Sequence, residues 1–285
     1  MIKTVLVRST GLEGDEAVSL AGLAIARMFD AHMAFLHVSV DPVQVWELTM
    51  ASLDSDGARV MAGDWLTRLE TEAQVQQDNA HRAMEGFCEK QGVPTRPGFD
   101  PSRLSASWHS EKGSEIEWFP IYGRESDLIV VGRSAAAAGV LSAALFDSGR
   151  PLLIPGSAPM VSQPETAVIA WKSTREAARA VAAATPILEK CKRIVVLTAI
   201  EEKNETGSTD RLVVALRRHG VPVEAERLRA NDAEAVDAIL SAARGLPSPL
   251  LVMGGYGHSR MREIVFGGFT ERVIRGADLP VLIAH

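Results

Sequence analysis

Two similar α/β domains, each a doubly wound sheet flanked by helices, are what the sequence predicts, on three observations. Short apolar runs rich in β-branched residues alternate with stretches of helical periodicity, as βα units with parallel strands require. The order of these segments, with several local motifs, recurs in the second half of the chain. A length of 285 residues suits two domains of ordinary size, at roughly 100–200 residues each. The expected domains are 1–158 and 165–285, and the polar, proline-containing segment Pro155–Glu165 is the natural linker.

The first strand, Thr4-Val5-Leu6-Val7, has its counterpart in Ala167-Val168-Ile169-Ala170-Trp171. Each passes through a Ser/Thr/Gly turn into a helix, predicted over Glu16–Phe29 and Arg175–Lys190. Ala17, Leu20, Ala24 and Met28 recur at helical intervals, as do Ala177, Val181, Ala184 and Leu188, which gives each helix one narrow apolar stripe. Ser173-x-x-Glu176 reads as a capping box that starts the second helix. Met33–Val40 and Arg193–Ala199 follow as strands. Such near-continuous apolar strands imply helices on both faces of a parallel sheet. Trp46–Lys90 is long and amphipathic, with Trp65, Leu69, Val75 and Met84 on helical faces, and stops at Gln91-Gly92-Val93-Pro94. The matching helix, Asp210–His219, stops at the same signal, Gly220-Val221-Pro222. There glycine supplies a left-handed cap and proline bars continuation, and the repetition of (Gln/His)-Gly-Val-Pro is the strongest sign of duplication. Ser126–Arg133 then parallels Ser248–Gly255, both buried strands running into glycine. Arg150–Pro155 parallels Leu279–Ala284, each a last strand opened by proline.

With 46% hydrophobic and 23% charged residues the composition is that of a soluble globular protein, which excludes disorder and collagen. No apolar run reaches the ~18 residues that span a bilayer, and Met1–Val7 passes from one lysine straight into a strand, so neither signal nor membrane anchor is expected. Cys88 and Cys191 form no CxxC, which points to a reducing cytoplasm and to no disulfide or cysteine zinc site. Residues 1–160 hold 13 Lys/Arg against 21 Asp/Glu, and residues 161–285 hold 17 against 15. An acidic first half has no reason to lie along nucleic acid, whose binding is driven by Lys and Arg displacing counterions. The mildly basic second half tolerates a small anion, and a solvated face of mixed charge explains it equally well.

Chemistry concentrates in one segment, Gly254 to Thr270, with the skeleton G-x2-G-x9-G-G-x-T between a strand and a helix-like stretch, Glu271–Arg275. Glycines at a strand exit let main chain approach a ligand, and the later pair, Gly267-Gly268, can turn into a helix while presenting free N–H groups. A phosphate suits such a place, because aligned peptide dipoles add partial positive charge and the hydroxyls of Ser259 and Thr270 lie close in sequence. Glycines that merely permit tight turns account for the pattern as well.

This strand-Gly-x2-Gly-x9-Gly arrangement, followed by a helix and a proline-opened last strand, resembles the universal stress protein (UspA) family, and the duplicated plan is similar to its tandem two-domain form. The resemblance covers nearly the whole chain and implies a five-stranded parallel sheet in each domain. It implies ATP as ligand of the second domain, with ADP or AMP as alternatives and Mg accompanying the phosphates. By position, Gly254, Gly257, Gly267 and Gly268 would line the phosphates, with His258, Ser259, Phe269 and Thr270 beside them. Adenine would meet backbone at the end of the second strand, around Ala199. Two departures stand out. Gly268 replaces the Ser or Thr that usually follows the third glycine, and Lys172 and Thr10 stand where nucleotide-binding members carry an Asp near the nucleoside. Lys172 either reaches a phosphate as a point charge or is an exposed lysine. In the first half, Gly132-Arg133-Ser134 runs into Ala135–Ala138, and Phe146-Asp147-Ser148-Gly149 restores no Gly-Gly helix start, so that domain is expected to be nucleotide-free, with Asp147 repelling phosphate.

The resemblance further implies association through last strands, either between the two domains, Leu152–Ile154 with Val281–Ile283, or in a homodimer. The role expected is stress-response regulation through nucleotide-dependent conformation or association. A nucleotide-free interaction scaffold and a slow ATPase are the alternatives. No catalytic residue is assigned, because there is no Gly-x-Ser-x-Gly elbow and no Gly-Lys-(Ser/Thr) after the glycines. Seven histidines form neither HxxxH nor HExxH, so no metal site is assigned and most are read as surface or packed. Ser102–Glu117, flanked by Trp108 and Trp118, reads as an insertion over a pocket or a loop anchored by its aromatics.

Overall fold

In the computed structural model, residues 1–50, 55–95, 103–200, 207–231, 233–255 and 268–285 are described. The first domain runs β1 (Thr4–Arg8), α1 (Asp15–Phe29), β2 (His32–Ser39), α2 (Pro42–Met50), α3 (Ser55–Gln91), β3 (Ser105–Lys112), α4 (Glu115–Arg124), β4 (Leu128–Val130), α5 (Ala138–Asp147) and β5 (Leu152–Ile154). The second runs β6 (Thr166–Ala170), α6 (Arg175–Leu188), β7 (Arg193–Ile200), α7 (Ser208–Arg217), β8 (Val223–Arg229), α8 (Ala235–Arg244), β9 (Pro249–Gly254), α9 (Gly268–Gly276) and β10 (Val281–Ala284).

All ten strands join in one sheet, in the order β3-β2-β1-β4-β5-β10-β9-β6-β7-β8. Each half is parallel within itself, and the halves meet antiparallel where Val281 faces Ile154, Leu282 faces Leu153 and Ile283 faces Leu152. The last strands therefore pair inside the chain. Alternation along the central strands supplies both cores. Val5, Val7, Ala167 and Ile169 face α1, α3, α6 and α7, whereas Leu6, Val168 and Ala170 face α4, α5, α8 and α9. Because the seam is antiparallel, the carboxyl ends of the strands point to opposite edges of the sheet in the two halves.

Several local expectations change. Ala17 and Leu20 are only half-buried, while α1 buries Val18, Ala21, Leu23, Ala24 and Ile25, a face far wider than one stripe. The reason is that α3 lies along α1, where Lys90 pairs with Glu16 at 3.0 Å and Arg27 donates to the Gln91 carbonyl. The long amphipathic stretch forms two helices, α2 and α3, whose Trp46 and Trp65 rings meet at 5.9 Å. With 37 residues α3 is about 55 Å long, well beyond the reach of an eight-residue strand, so Met84 is buried on the sheet whereas Val75 is 52% exposed. Ser105–Lys112, inside the expected insertion, is the edge strand β3 paired with β2 from His32 to Ser39. Its polar face pairs with histidine: His32 bonds Ser105 and Ser107 at 2.9 and 2.8 Å, and Ser107 bonds His109. His37 is buried against the Ser9 carbonyl and stacks on Trp108. These are packed histidines, and among the described residues no three His, Cys, Asp or Glu side chains gather as a metal site. Among the described residues, too, no helix is long and apolar enough to cross a membrane.

Candidate functional site

In the second domain the sheet has a topological switch point between β6 and β9. From β6 the chain turns to α6 on one face, and from β9 it proceeds to α9 on the other, so the chain diverges beyond the carboxyl ends of these two strands. Open α/β sheets take ligands at such a place. The rim consists of the turn Trp171–Thr174 on one side and Gly254-Gly255 on the other.

The glycine at the end of β9 is fixed by packing. A Cβ on Gly254 would lie 2.4 Å from the Ala177 nitrogen and 2.6 Å from the Glu176 carbonyl carbon, so α6 abuts the strand end as closely as backbone can. The first turn of that helix is capped by Thr174, whose Oγ1 accepts the Ala177 N–H at 3.2 Å. This corrects the expected Ser173/Glu176 capping box. With Thr174 as cap, Glu176 falls one residue short of the reciprocal position, and its carboxylate instead takes a bond from its own amide. Glu176 is only 5% exposed. Its pKa is lowered chiefly by that amide, with the Thr174 hydroxyl, Arg175 and His285 adding to the effect and burial opposing it. A depressed carboxyl contributes stability above its ordinary value of 4.5 that is lost as pH falls through the lower folded value. Wild-type protein should therefore exceed Glu176→Gln in denaturation midpoint at pH 7, and the margin should shrink at pH 3. An equal margin at both would contradict the assignment.

Of the residues expected to bind a ligand, Gly268, Phe269 and Thr270 form the first turn of α9, one turn earlier than the helix-like stretch predicted from Glu271. A Cβ on Gly268 would meet nothing within 4 Å, and Gly268 is exposed. Phe269 is half-buried against the core and Thr270 is buried. Lys172 is exposed on the rim, and its carbonyl accepts the Thr174 N–H at 2.7 Å. Ala199 is half-buried near the end of β7, opposite Leu228. Gly257, His258, Ser259 and Gly267 lie outside the described residues.

At the equivalent edge of the first domain the loop amides are engaged by the domain's own side chains. The Asp15 carboxylate takes the N–H of Thr10 at 2.7 Å, the N–H of Gly11 at 2.8 Å and the Thr10 hydroxyl at 2.8 Å. Gln76 of α3 donates to the Thr10 carbonyl, and Gly11, at φ +73°, lies so close under α3 that a Cβ would sit 2.7 Å from the Gln76 oxygen. After β4 the connection is short, and Ser134 caps the turn before α5 by accepting the Ala137 N–H at 3.0 Å. Asp147 ends α5, at the opposite end from that turn, so the expected phosphate repulsion by Asp147 is corrected. The residues that sequence reading missed are Asp15 and Arg133. The first had a local signal, an acidic residue opening a helix just after a Thr-Gly turn; the second acts on another domain and had none.

Residues 162–285 match the family model described as the universal stress protein family. No curated protein matches the chain. Among solved structures, a universal stress protein from Archaeoglobus fulgidus DSM 4304 superposes with a TM-score of 0.70 at 17% identity, covering 99% of this chain and 97% of its own. A functionally unknown protein from Pseudomonas aeruginosa PAO1 superposes with a TM-score of 0.58 at 14% identity, covering 99% and 92%. Residues 162–285 are thus similar to the universal stress protein family, and the whole chain has the fold of a solved universal stress protein.

Proposed function

We propose that the second domain binds an adenine nucleotide, ATP foremost, and that the protein is a cytoplasmic stress-response regulator whose conformation or association follows nucleotide occupancy. The observation that carries this reading is that the glycine-rich segment leaves the sheet at its switch point and ends in a helix whose first residue stands in open space. The residues present suit the ligand. The amino end of α9 at Gly268 supplies an N–H donor to phosphate, and exposed Lys172 supplies a cation at the rim. ADP and AMP fit the same cradle, with Mg²⁺ accompanying the phosphates. The first domain, whose loop amides Asp15 already engages, serves as a nucleotide-free partner.

Titration calorimetry with ATP should give one site per chain, and Gly268→Asp should abolish it. Open space around Gly268 makes this variant informative. An added Cβ meets nothing within 4 Å, and an acidic residue at a helix N-terminus leaves stability unchanged or raises it by up to about 1 kcal/mol. Loss of binding therefore reports charge conflict with the phosphates. No heat from wild-type protein, with no nucleotide released on denaturation, would leave a duplicated interaction scaffold. Phosphate release that vanishes with Gly257→Asp would make the protein a slow ATPase.

A further inference from the structure

The helix that begins at the proposed phosphate end finishes against the other domain. Gly132-Arg133 occupies in the first domain the place that Gly254-Gly255 occupies in the second, at the exit of β4. From there the Arg133 guanidinium crosses the junction. It donates to the Val273 carbonyl at 3.1 Å and to the Ile274 carbonyl, both in the last turn of α9, to the Leu279 carbonyl at 3.0 Å and to the Pro155 carbonyl at 2.8 Å. Cations belong at this end of a helix, where the peptide dipoles leave partial negative charge. Burial pushes the Arg133 pKa down to about 10, with Asp278 opposing, so the group is cationic at neutral pH.

The seat is firm on its other side as well. Gly156 approaches so closely that a Cβ would lie 2.4 Å from the Asp278 carbonyl oxygen, and that oxygen accepts the Ser157 N–H at 2.9 Å. At the related junction on the opposite edge, Phe146, in the last turn of α5, meets the His285 ring edge-on at 4.7 Å. The first domain thus reaches into the domain with the glycine pattern, and it does so through the helix whose first residue, Gly268, is exposed.

We propose that Arg133 is a positioning residue for the nucleotide site of the second domain, acting across the junction by fixing α9 from its carboxyl end. This rests on the nucleotide reading above. A helix of nine residues is about 13 Å long and moves as a rod, so a shift where Arg133 holds it displaces its exposed amino end at Gly268. Donor sites tolerate displacements of only about 0.5 Å. Anion at one end and guanidinium at the other favour the same placement of the rod, and such coupling is reciprocal.

The test uses the full chain with Arg133→Met, Arg133→Lys and a control, Phe35→Leu, which thins the first-domain core. ATP affinity is read by calorimetry, and hydrogen exchange of residues 268–276 by mass spectrometry. Arg133→Met should weaken ATP about tenfold and speed exchange in α9, with Arg133→Lys in between because it keeps the charge but not the fork. Phe35→Leu should lower the unfolding midpoint and leave both readouts unchanged. ATP binding by Arg133→Met with wild-type affinity overturns the proposal, as does equal weakening by Phe35→Leu. If wild-type protein binds no ATP, the nucleotide reading fails first and the positioning role falls with it, an outcome distinct from the other two.

Discussion

Gly254→Ala is expected to lower stability by about 3 kcal/mol, the upper part of the range for overpacking, and to lower the unfolding midpoint by about 10 °C. The added methyl would meet the Ala177 nitrogen at 2.4 Å, the Glu176 carbonyl carbon at 2.6 Å and the Ala177 Cα at 2.9 Å. All three atoms are backbone, so no rotamer change relieves the conflict, and the helix start must move away from the end of β9. That movement opens the rim of the crevice and loosens the pairing of Gly254 with Ala284. Gly255→Ala is the internal comparison. Its methyl would meet the Ile283 Cδ1 at 2.9 Å and the Leu145 Cδ2 at 3.2 Å, both ends of flexible side chains, and should cost about 1 kcal/mol. Denaturant unfolding of the two variants tests this directly, and equal tolerance of both would show that α6 does not rest on Gly254 as described.

Leu282→Ala should cost about 3 kcal/mol and should uncouple the two halves. Leu282 and Leu153 are both fully buried and face each other at the middle of a seam only three residues long on each strand. Removing the side chain leaves a cavity where the two cores meet, at a place too constrained on both sides to collapse. Calorimetry should then resolve separate transitions for the halves where wild-type protein shows them merged. Leu153→Ala should act similarly, and the double variant should cost less than the sum, because the second truncation enlarges a cavity already made. Additive costs with a single merged transition would show that the halves do not depend on this seam.

The parts of the fold legible in sequence were those with strong local period. Thr166–Ala170 and Val281–Ala284 are buried throughout because helices cover both faces, and Ala177, Val181, Ala184 and Leu188 mark the buried side of α6. What escaped were β3 and the overhang of α3. Strand β3 alternates Ser105, Ser107, His109 and Glu111 with Ala106 and Trp108, a pattern polar enough to pass for a surface loop until the neighbouring strand supplies hydrogen bonds. Val75 lies on a helical face in sequence, but burial depends on whether a sheet extends beneath it. At the candidate site, glycine spacing singled out Gly254, yet what demands glycine there is the start of α6, which is remote in sequence.

By itself the sequence determined that the chain is duplicated, that each copy is a parallel α/β unit and where one copy keeps a glycine-rich exit, since these follow from period, turn chemistry and spacing between near neighbours. Tertiary structure decided that the copies share one ten-stranded sheet, that Asp15 engages the loop amides after β1 and that Arg133 holds the far end of α9. Those outcomes depend on which carbonyls and amides lack partners once the chain has closed on itself, and a residue such as Arg133 finds its acceptors about 140 positions away, beyond anything local patterning records.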